Sequence, residues 1–238
     1  MTAAHFFART VDGDRVELDG EEARHASRVL RIRLGEIITV ADGDGRVVRA
    51  KVVEAGEPLV AEVLERWDDP VPVPQIQVFH AIPKSRKLDE VVRRLTELGV
   101  DLVQPFPSER SVAGWDEKKA ATQTVRLRAI AHEAAKQSRR SRVPVIEQPR
   151  PLDAIALPPT TWILDEEAAI RLRDALPEVA PATVGVVVGP EGGLDRMEVA
   201  ALSARSAVAV SLGSAVLRTE TAGLAAAALI GFHYGRLG

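Results

Sequence analysis

The chain contains no cysteine, and its five histidines show no pair at a metal-binding spacing. Disulfides and a thiolate metal site are therefore excluded, and we expect no catalytic metal. Aromatic residues make up 4% of the 238 residues. With so few rings, we do not expect extended stacking on the bases of a nucleic acid.

Long apolar runs are also absent, because no stretch approaches the roughly 18 apolar residues that a membrane helix needs. The chain does not open on a charged and then apolar leader, so we expect a cytoplasmic protein. The glycine spacings of a dinucleotide fold and of a phosphate-binding loop are both missing. A nucleotide-dependent oxidoreductase therefore fits this sequence poorly.

Charge is unevenly distributed behind the formal net value of −3. Residues 1–74 carry a net charge of −5, residues 75–150 carry +6, and residues 151–238 carry −4. A basic middle between acidic flanks suits a polyanionic partner that is held locally.

The sequence of residues 1–70 predicts a small β-barrel. Strand-like runs at Glu36–Ala41, Arg46–Val53 and Leu59–Leu64 predict β structure, and Asp42–Gly45 predicts a hairpin turn between the first two. A short helix is predicted over about Gly20–Ile32. The proline-rich run DDPVPVP at 68–74 then indicates a linker, which we place at residues 71–74.

After the linker, strands alternate with helices through residues 75–238. Gln75–Ile82 and Val100–Phe106 predict strands on either side of an amphipathic helix at Arg86–Leu98 that ends at Gly99. A long helix is predicted near 117–138, and a final one near 219–233. Further strands are predicted near 162–164, 184–188 and 207–212. This alternation predicts a mainly parallel sheet with helices on both faces.

Two loops of small residues follow strands near the carboxyl end of the chain. The first is in VGVVVGPEGGL at 184–194, and the second is in SLGSAVLRTETA at 211–222. Because open α/β sheets bind ligands at the carboxyl ends of their strands, we expect one composite pocket for a nucleotide-like molecule. Asp195 and Glu198 have the spacing of a capping box that begins the next helix.

Charged residues beside these loops allow two interpretations. Thr219 or Thr221 can cap the last helix, and Arg218 with Glu220 can form a surface ion pair of little energetic value. The functional alternative is that Arg218 and Glu220 face the pocket.

Basic residues cluster in two further places. Arg24, Arg28 and Arg31 would share one face of the short helix, beside His25, with Ala26, Val29 and Leu30 on the other face. Lys136, Arg139, Arg140 and Arg142 end the long helix. They offset the helix dipole, but four cations within seven residues exceed that need, so we favour RNA binding.

Together these residues resemble the RsmE family of 16S rRNA uridine-N3 methyltransferases, which belongs to the SPOUT (α/β-knot) class. The resemblance extends over nearly the whole chain, and the order and spacing of its motifs make it specific. The motifs are Arg24–Arg31, Leu95–Val100, Ser108–Ser111, Glu133–Arg140, Gly189–Leu194 and Leu217–Ala222.

The resemblance implies a trefoil-knotted SPOUT sheet at 75–238, preceded by a PUA-like β-barrel. It also implies a homodimer that binds S-adenosylmethionine in the knot and methylates N3 of one uridine in the decoding region of 16S rRNA within the small ribosomal subunit. Ser214-Ala215 departs from the Pro-Arg that is common in the family.

Roles for individual residues follow from the loops and the resemblance together. Arg218 would stabilise charge on the uracil oxygens, and Glu220 or Glu191, or solvent hydroxide, would accept the N3 proton. The expected cofactor residues are Leu164, Gly189, Pro190, Glu191, Gly192, Gly193, Leu212, Gly213, Ser214, Val216 and Leu217, with Asp165 beside them. The expected RNA-binding residues are Arg9, Arg24, His25, Arg28, Arg31, Lys136, Arg139, Arg140 and Arg142.

Two rival functions remain open at the level of sequence. One is an RNA methyltransferase of the same class that acts on another nucleotide or on ribose, because a fold does not fix a target. The other is a non-catalytic rRNA-binding assembly factor, although Arg218 and both glycine loops are retained.

Overall fold

A computed structural model describes residues 3–83, 87–111 and 115–238. The chain folds into two compact units. The first unit comprises the residues up to Val71 and, in addition, Ala135–Val143. The second comprises Pro72–Ala134 and Pro144–Gly238. The domain boundaries predicted from the sequence divide the chain once, at residues 71–74, and do not include this return of Ala135–Val143 to the first unit.

The first unit is built on a curled sheet of five strands in the order β1-β3-β4-β5-β2. β1 and β3 are parallel, and the other neighbours are antiparallel. Because β1 and β2 lie at opposite edges, the sheet forms a half-barrel rather than a closed barrel. The strands are β1 (Ala4–Phe7), β2 (Arg15–Leu18), β3 (Ile37–Ala41), β4 (Arg46–Glu54) and β5 (Leu59–Asp68).

The predicted hairpin between β3 and β4 is confirmed. One carboxylate oxygen of Asp42 accepts hydrogen bonds from the backbone N–H groups of Asp44 (2.7 Å) and Arg46 (3.1 Å). Gly43 has a φ of 91°, a conformation that a glycine adopts without steric cost. This local chemistry fixes the register in which Ala41 pairs with Val47.

The two faces of this sheet pack against different partners. Phe6, Ile38 and Val48 point into the apolar core of the unit. Their neighbours on the other face include Phe7 and Val47, which form a second cluster with Ala41, Ala135 and, at its margin, Val143. The alternation along each strand therefore explains why a segment from far along the chain returns to cover the second face.

The helix predicted over Gly20–Ile32 is wrong in its length and its regularity. The α-helix α1 covers Gly20–Arg24 and continues as one turn of π-helix at His25–Val29. Arg31 follows with a left-handed φ of 54°. Because the helical period changes after Arg24, Arg24, Arg28 and Arg31 do not share one α-helical face, and Val29 is 65% exposed rather than packed.

The second unit contains a six-stranded sheet in the order β11-β9-β10-β6-β7-β8. Every pairing in it is parallel, as the alternation of strands and helices predicts. The strands are β6 (Gln75–Ala81), β7 (Leu102–Phe106), β8 (Val145–Ile146), β9 (Thr160–Leu164), β10 (Thr183–Val188) and β11 (Val208–Val210).

Helices cover both faces of this sheet, which confirms the predicted class. Val187 packs in a cluster with Leu202 of α5. Its neighbour Val188 faces the other way and lies against Gly223 of α6. The helices are α2 (Lys87–Glu97), α3 (Glu117–Gln137), α4 (Leu172–Ala175), α5 (Arg196–Ser203) and α6 (Thr219–His233).

Most predicted boundaries in this unit agree with the structure within two residues. The predicted helix start at Arg86 lies outside the described residues, and the described helix α2 begins at Lys87. Among the helices that the structure describes, none is both long and apolar enough to cross a membrane.

Candidate functional site

A cavity of about 580 Å³ opens at the carboxyl edge of the parallel sheet. β9, β10 and β11 lie side by side and end at Leu164, Val188 and Val210. Because the strands are parallel, the loops that follow them emerge at the same edge. The volume lies within the range of roughly 300–1,000 Å³ that is typical of small-molecule sites.

Both predicted loops line this cavity, and so does the end of β9. Ser214 is the one predicted cofactor residue that is not among the lining residues. Contact with a cofactor stays a prediction for the whole set. The predicted residues that line the cavity are Leu164, Asp165, Gly189, Pro190, Glu191, Gly192, Gly193, Leu212, Gly213, Val216 and Leu217.

The first loop is compact because it folds back on itself at Gly189. A Cβ atom at Gly189 would lie 2.9 Å from the backbone nitrogen of Leu194. Substitution there would therefore push the loop apart. The predicted capping box of α5 is confirmed, since Asp195 accepts from the N–H of Met197 and Glu198 accepts from the N–H of Asp195.

Side chains of the segment 108–111 form hydrogen bonds with the same loop and with the helix that follows it. Arg110 donates a hydrogen bond of 2.9 Å to the backbone oxygen of Gly192. Ser108 donates one of 3.0 Å to the Glu198 carboxylate. The motif Ser108–Ser111, which is one of the motifs shared with the family, thus supports the shape of the glycine loop.

The second loop is joined to the first by a buried hydrogen bond. The hydroxyl of Thr219 donates to the backbone oxygen of Gly189 at 2.5 Å, and Thr219 is only 6% exposed. The prediction that Thr219 or Thr221 caps α6 with its side chain is wrong. The N-cap residue is Arg218, without a side-chain cap, and the Thr219 hydroxyl is directed to the other loop instead.

Three charged side chains meet at the cavity. The Lys87 ammonium nitrogen lies 3.4 Å from a carboxylate oxygen of Glu191 and 3.3 Å from one of Glu220. The backbone N–H of Glu220 itself, and after it Lys87, hold the pKa of Glu220 below its ordinary value. Glu220 is therefore a carboxylate at neutral pH.

Arg218 lies beside these charges but does not pair with them. Within the described part of the chain, no carboxylate forms an ion pair with its guanidinium, and the residue is exposed at the cavity. Glu220 pairs with Lys87 rather than with Arg218. The surface ion pair that was the alternative interpretation of Arg218 and Glu220 is therefore not formed.

Sequence reasoning missed Lys87, Glu166 and Thr219 as parts of this site. All three line the cavity. Lys87 offers one signal in retrospect, because it begins the helix after β6 and so lies at the carboxyl edge of a parallel strand.

The predicted RNA-binding residues fall into distinct environments. Arg9, Arg24, Arg28, Arg31 and Arg139 are exposed, and His25, Arg140 and Arg142 are half-buried. Lys136 is buried and pairs with Glu22 at 2.9 Å. The guanidinium of Arg142 donates to the backbone oxygen of Asp69 at 2.7 Å. RNA contact stays a prediction for all of them.

Family models match both units of the chain. A model described as an RNA methyltransferase domain matches residues 69–231. A second, described as an RNA methyltransferase PUA domain, matches residues 18–63.

Curated relatives match over nearly the whole length. The ribosomal RNA small subunit methyltransferase E of Mycobacterium tuberculosis is 39% identical, with 97% of this chain and 92% of the relative covered. The protein of the same name from Bacillus subtilis is 31% identical, with 91% and 89% covered.

Solved structures agree with this relationship. The ribosomal RNA small subunit methyltransferase E of Neisseria gonorrhoeae, bound to S-adenosyl methionine, is 29% identical, covers 98% of both chains and gives a TM-score of 0.87. A Legionella pneumophila methyltransferase described with bound SAM is 27% identical with a TM-score of 0.86. The predicted SPOUT-type fold is thereby confirmed. The chain belongs to the ribosomal RNA small subunit methyltransferase E family.

Proposed function

We propose that the protein methylates N3 of one uridine in 16S rRNA, with S-adenosylmethionine as the methyl donor. Membership of the family supports an rRNA methyltransferase that uses this donor. The uridine-N3 target rests on the resemblance and on the side chains at the cavity. We infer a cytoplasmic location from the proposed ribosomal RNA substrate. The observation that carries the proposal is the cavity in which both glycine loops and Arg218 meet.

The residues at the cavity fit S-adenosylmethionine. A volume of about 580 Å³ accommodates a nucleoside with a methionine chain. The Gly189 turn leaves no room for a side chain, so the backbone itself is presented to a ligand. Apolar Leu212 and Leu217 are suited to the faces of an adenine ring.

Charge at the cavity also suits this donor, whose sulfonium is positive. The lining residues include four carboxylates and two cations. A local excess of negative charge favours a cationic ligand. When bound, S-adenosylmethionine supplies an activated methyl group without a metal. The lining carboxylates are Asp165, Glu166, Glu191 and Glu220, and the cations are Lys87 and Arg218.

Arg218 would assist the loss of the uridine N3 proton. A neutral imide is a weak nucleophile, and its deprotonation spreads negative charge over the two uracil carbonyl oxygens. A guanidinium that is not engaged by a carboxylate can be directed to that charge. The absence of such a pair for Arg218 within the described residues supports this role.

The two carboxylates on Lys87 would have different tasks. Glu220 has a lowered pKa, which makes it a weak proton acceptor, because a general base works best with a pKa near the working pH. We assign Glu220 the electrostatic task of orienting Lys87 and balancing the positive donor. Glu191 is then the side-chain candidate to accept the N3 proton, and solvent hydroxide is the alternative acceptor.

Exposed arginines of the first unit would hold the RNA through its phosphates. Arg9, Arg24, Arg28 and Arg139 are accessible for such contacts. Lys136 would act differently, because its ammonium is buried against Glu22 and is therefore shielded from a phosphate. Phosphate contacts position an RNA without reading its sequence.

Small ribosomal subunits that lack the modification test the target directly. Incubation of the protein with radiolabelled S-adenosylmethionine and such subunits should give one labelled 3-methyluridine in 16S rRNA, identified by nuclease digestion and mass spectrometry. Label on a ribose or on another base would contradict the N3 assignment. No transfer to either subunits or naked rRNA would favour a non-catalytic assembly factor.

A homodimer is part of this proposal. On α6, Leu229 is 48% exposed and Phe232 is 71% exposed, which leaves an apolar surface open to a second copy. Light scattering should give a mass near twice 25.7 kDa, and Phe232→Glu should shift it to the monomer mass. A wild-type protein that stays monomeric at micromolar concentration would contradict the dimer.

The proposed roles of Arg218 and Lys87 can be distinguished by the pH dependence of turnover. Arg218→Ala should lower kcat about 10²–10³-fold with little change in the Kd for S-adenosylmethionine. Lys87→Met should raise the pKa of Glu220, since Lys87 is the strongest side-chain influence that lowers it. Activity that needs the Glu220 carboxylate should then be lost at a higher pH than in the wild type.

Each of these variants serves as the control for the other. The acid limb of kcat should move upward for Lys87→Met and return for Lys87→Arg. Arg218→Ala should move it less, because Arg218 lowers the pKa of Glu220 less than Lys87 does. Equal losses of kcat and cofactor affinity in Arg218→Ala would make Arg218 a binding residue. An unmoved acid limb in Lys87→Met would remove the proposed link between Lys87 and Glu220.

A further inference from the structure

A second, smaller cavity lies in the first unit, on the sheet face opposite its apolar core. It has a volume of about 160 Å³ and is formed by the sheet together with the returning segment at 139–141. We call it the Trp67 cavity. Its lining residues include His5, Thr39, Trp67, Asp69, Arg139 and Ser141.

The size of the Trp67 cavity limits what it can bind. Its volume is several times the roughly 30 Å³ that one water molecule occupies in the liquid. It is also well below the roughly 300 Å³ at which sites for drug-sized ligands begin. The space therefore suits a single flat ring system rather than a whole nucleoside cofactor.

Trp67 supplies an aromatic surface at this cavity. It is 38% exposed, whereas Trp162 in the other unit is 2% exposed and belongs to a core. The indole N–H of Trp67 donates to the Asp69 carboxylate at 3.1 Å, which fixes the position of the ring. A fixed and partly exposed indole is the kind of side chain on which unpaired bases stack.

Polar groups beside the indole can bind the edge of a base. Ser141 offers a hydroxyl, and the Asp69 carboxylate is an acceptor. Burial lowers the pKa of His5, which keeps this imidazole neutral near pH 7. Because its Nε2 atom lies 3.1 Å from the backbone oxygen of Arg140, His5 donates there and presents Nδ1 as an acceptor.

Arg139 adds a cation at the rim of the cavity. Its backbone has a left-handed φ of 56°, which is uncommon for a residue with a side chain. The backbone N–H of Arg139 donates to the oxygen of Lys136 at 3.1 Å, so the turn is fixed while the side chain stays exposed. An exposed guanidinium next to a ring-sized cavity matches the phosphate attached to a bound base.

We infer that the Trp67 cavity binds one unpaired nucleobase of an RNA strand, with the base against Trp67 and its phosphate at Arg139. The inference rests on the proposed function only in that RNA is the substrate. The site is separate from the methyl-donor cavity, with which it shares no lining residue. Its task would be to grip the rRNA rather than to take part in methyl transfer.

Titration of the full-length protein with a six-nucleotide oligoadenylate, followed by tryptophan fluorescence, tests the inference. The single-stranded RNA should quench tryptophan emission of the wild type. Trp67→Leu, which retains an apolar side chain without a flat ring, should abolish the quenching and weaken binding about tenfold. Arg139→Gly should weaken binding severalfold while keeping the fold, because glycine accepts the left-handed backbone.

Matched controls separate this site from general electrostatics. Arg15→Ala removes another exposed arginine of the first unit and should leave oligoadenylate affinity near the wild-type value. The affinity for S-adenosylmethionine should be unchanged in all three variants. An abasic oligomer of the same length should bind weakly and cause no quenching.

The inference is overturned if Trp67→Leu binds oligoadenylate as tightly as the wild type, or if the abasic oligomer binds equally well. Failure of the proposed function looks different. In that case, oligoadenylate would still quench Trp67 while labelled rRNA would contain no 3-methyluridine.

Discussion

The hydrogen bond from the Thr219 hydroxyl to the Gly189 backbone oxygen is the contact on which the site depends most. It joins the first residue of α6 to the first residue after β10, and both atoms are buried. A buried carbonyl that loses its partner costs about 1–3 kcal/mol. This bond therefore fixes the distance between the two loops, and with it the width of the cavity between them.

The charged side chains at this cavity determine which ligands it favours. Glu191 lies in the first glycine loop, Glu220 lies in the first turn of α6, and Lys87 begins α2, so the ion pairs at 3.3–3.4 Å connect three segments. These side chains are partly exposed, and each pair contributes little to stability. They matter for placement, because they leave the Arg218 guanidinium without a carboxylate ion pair among the described residues, at a cavity lined by more carboxylates than cations.

The sequence predicts well those features that are determined by neighbouring residues. The Asp42–Gly45 hairpin and the capping box at Asp195 depend on side chains that bond to nearby backbone, and both are confirmed. The two glycine loops could be found because each follows a short apolar strand that ends in a buried valine, Val188 or Val210. Their meeting at one edge follows from the parallel order of the sheet.

Features that depend on distant contacts could not be predicted in this way. Lys136 has the pattern of a solvated cation at a helix end, but it is buried because Ala135–Val143 returns to the first unit and brings it to Glu22. The π-helical turn after Arg24 likewise has no periodic signal. Lys87 became part of the site through two partners more than 100 positions away in sequence.

Calorimetry of S-adenosylmethionine binding to Thr219→Val tests the central claim most directly. The substitution keeps the shape of the side chain but removes the hydroxyl that joins the loops, so the Kd should rise about tenfold. Thr219→Ser should retain wild-type affinity, and so should Thr221→Val, because Thr221 is exposed and lies two positions further along α6. Wild-type affinity in Thr219→Val would contradict the account, because the cavity would then keep its shape without the bond.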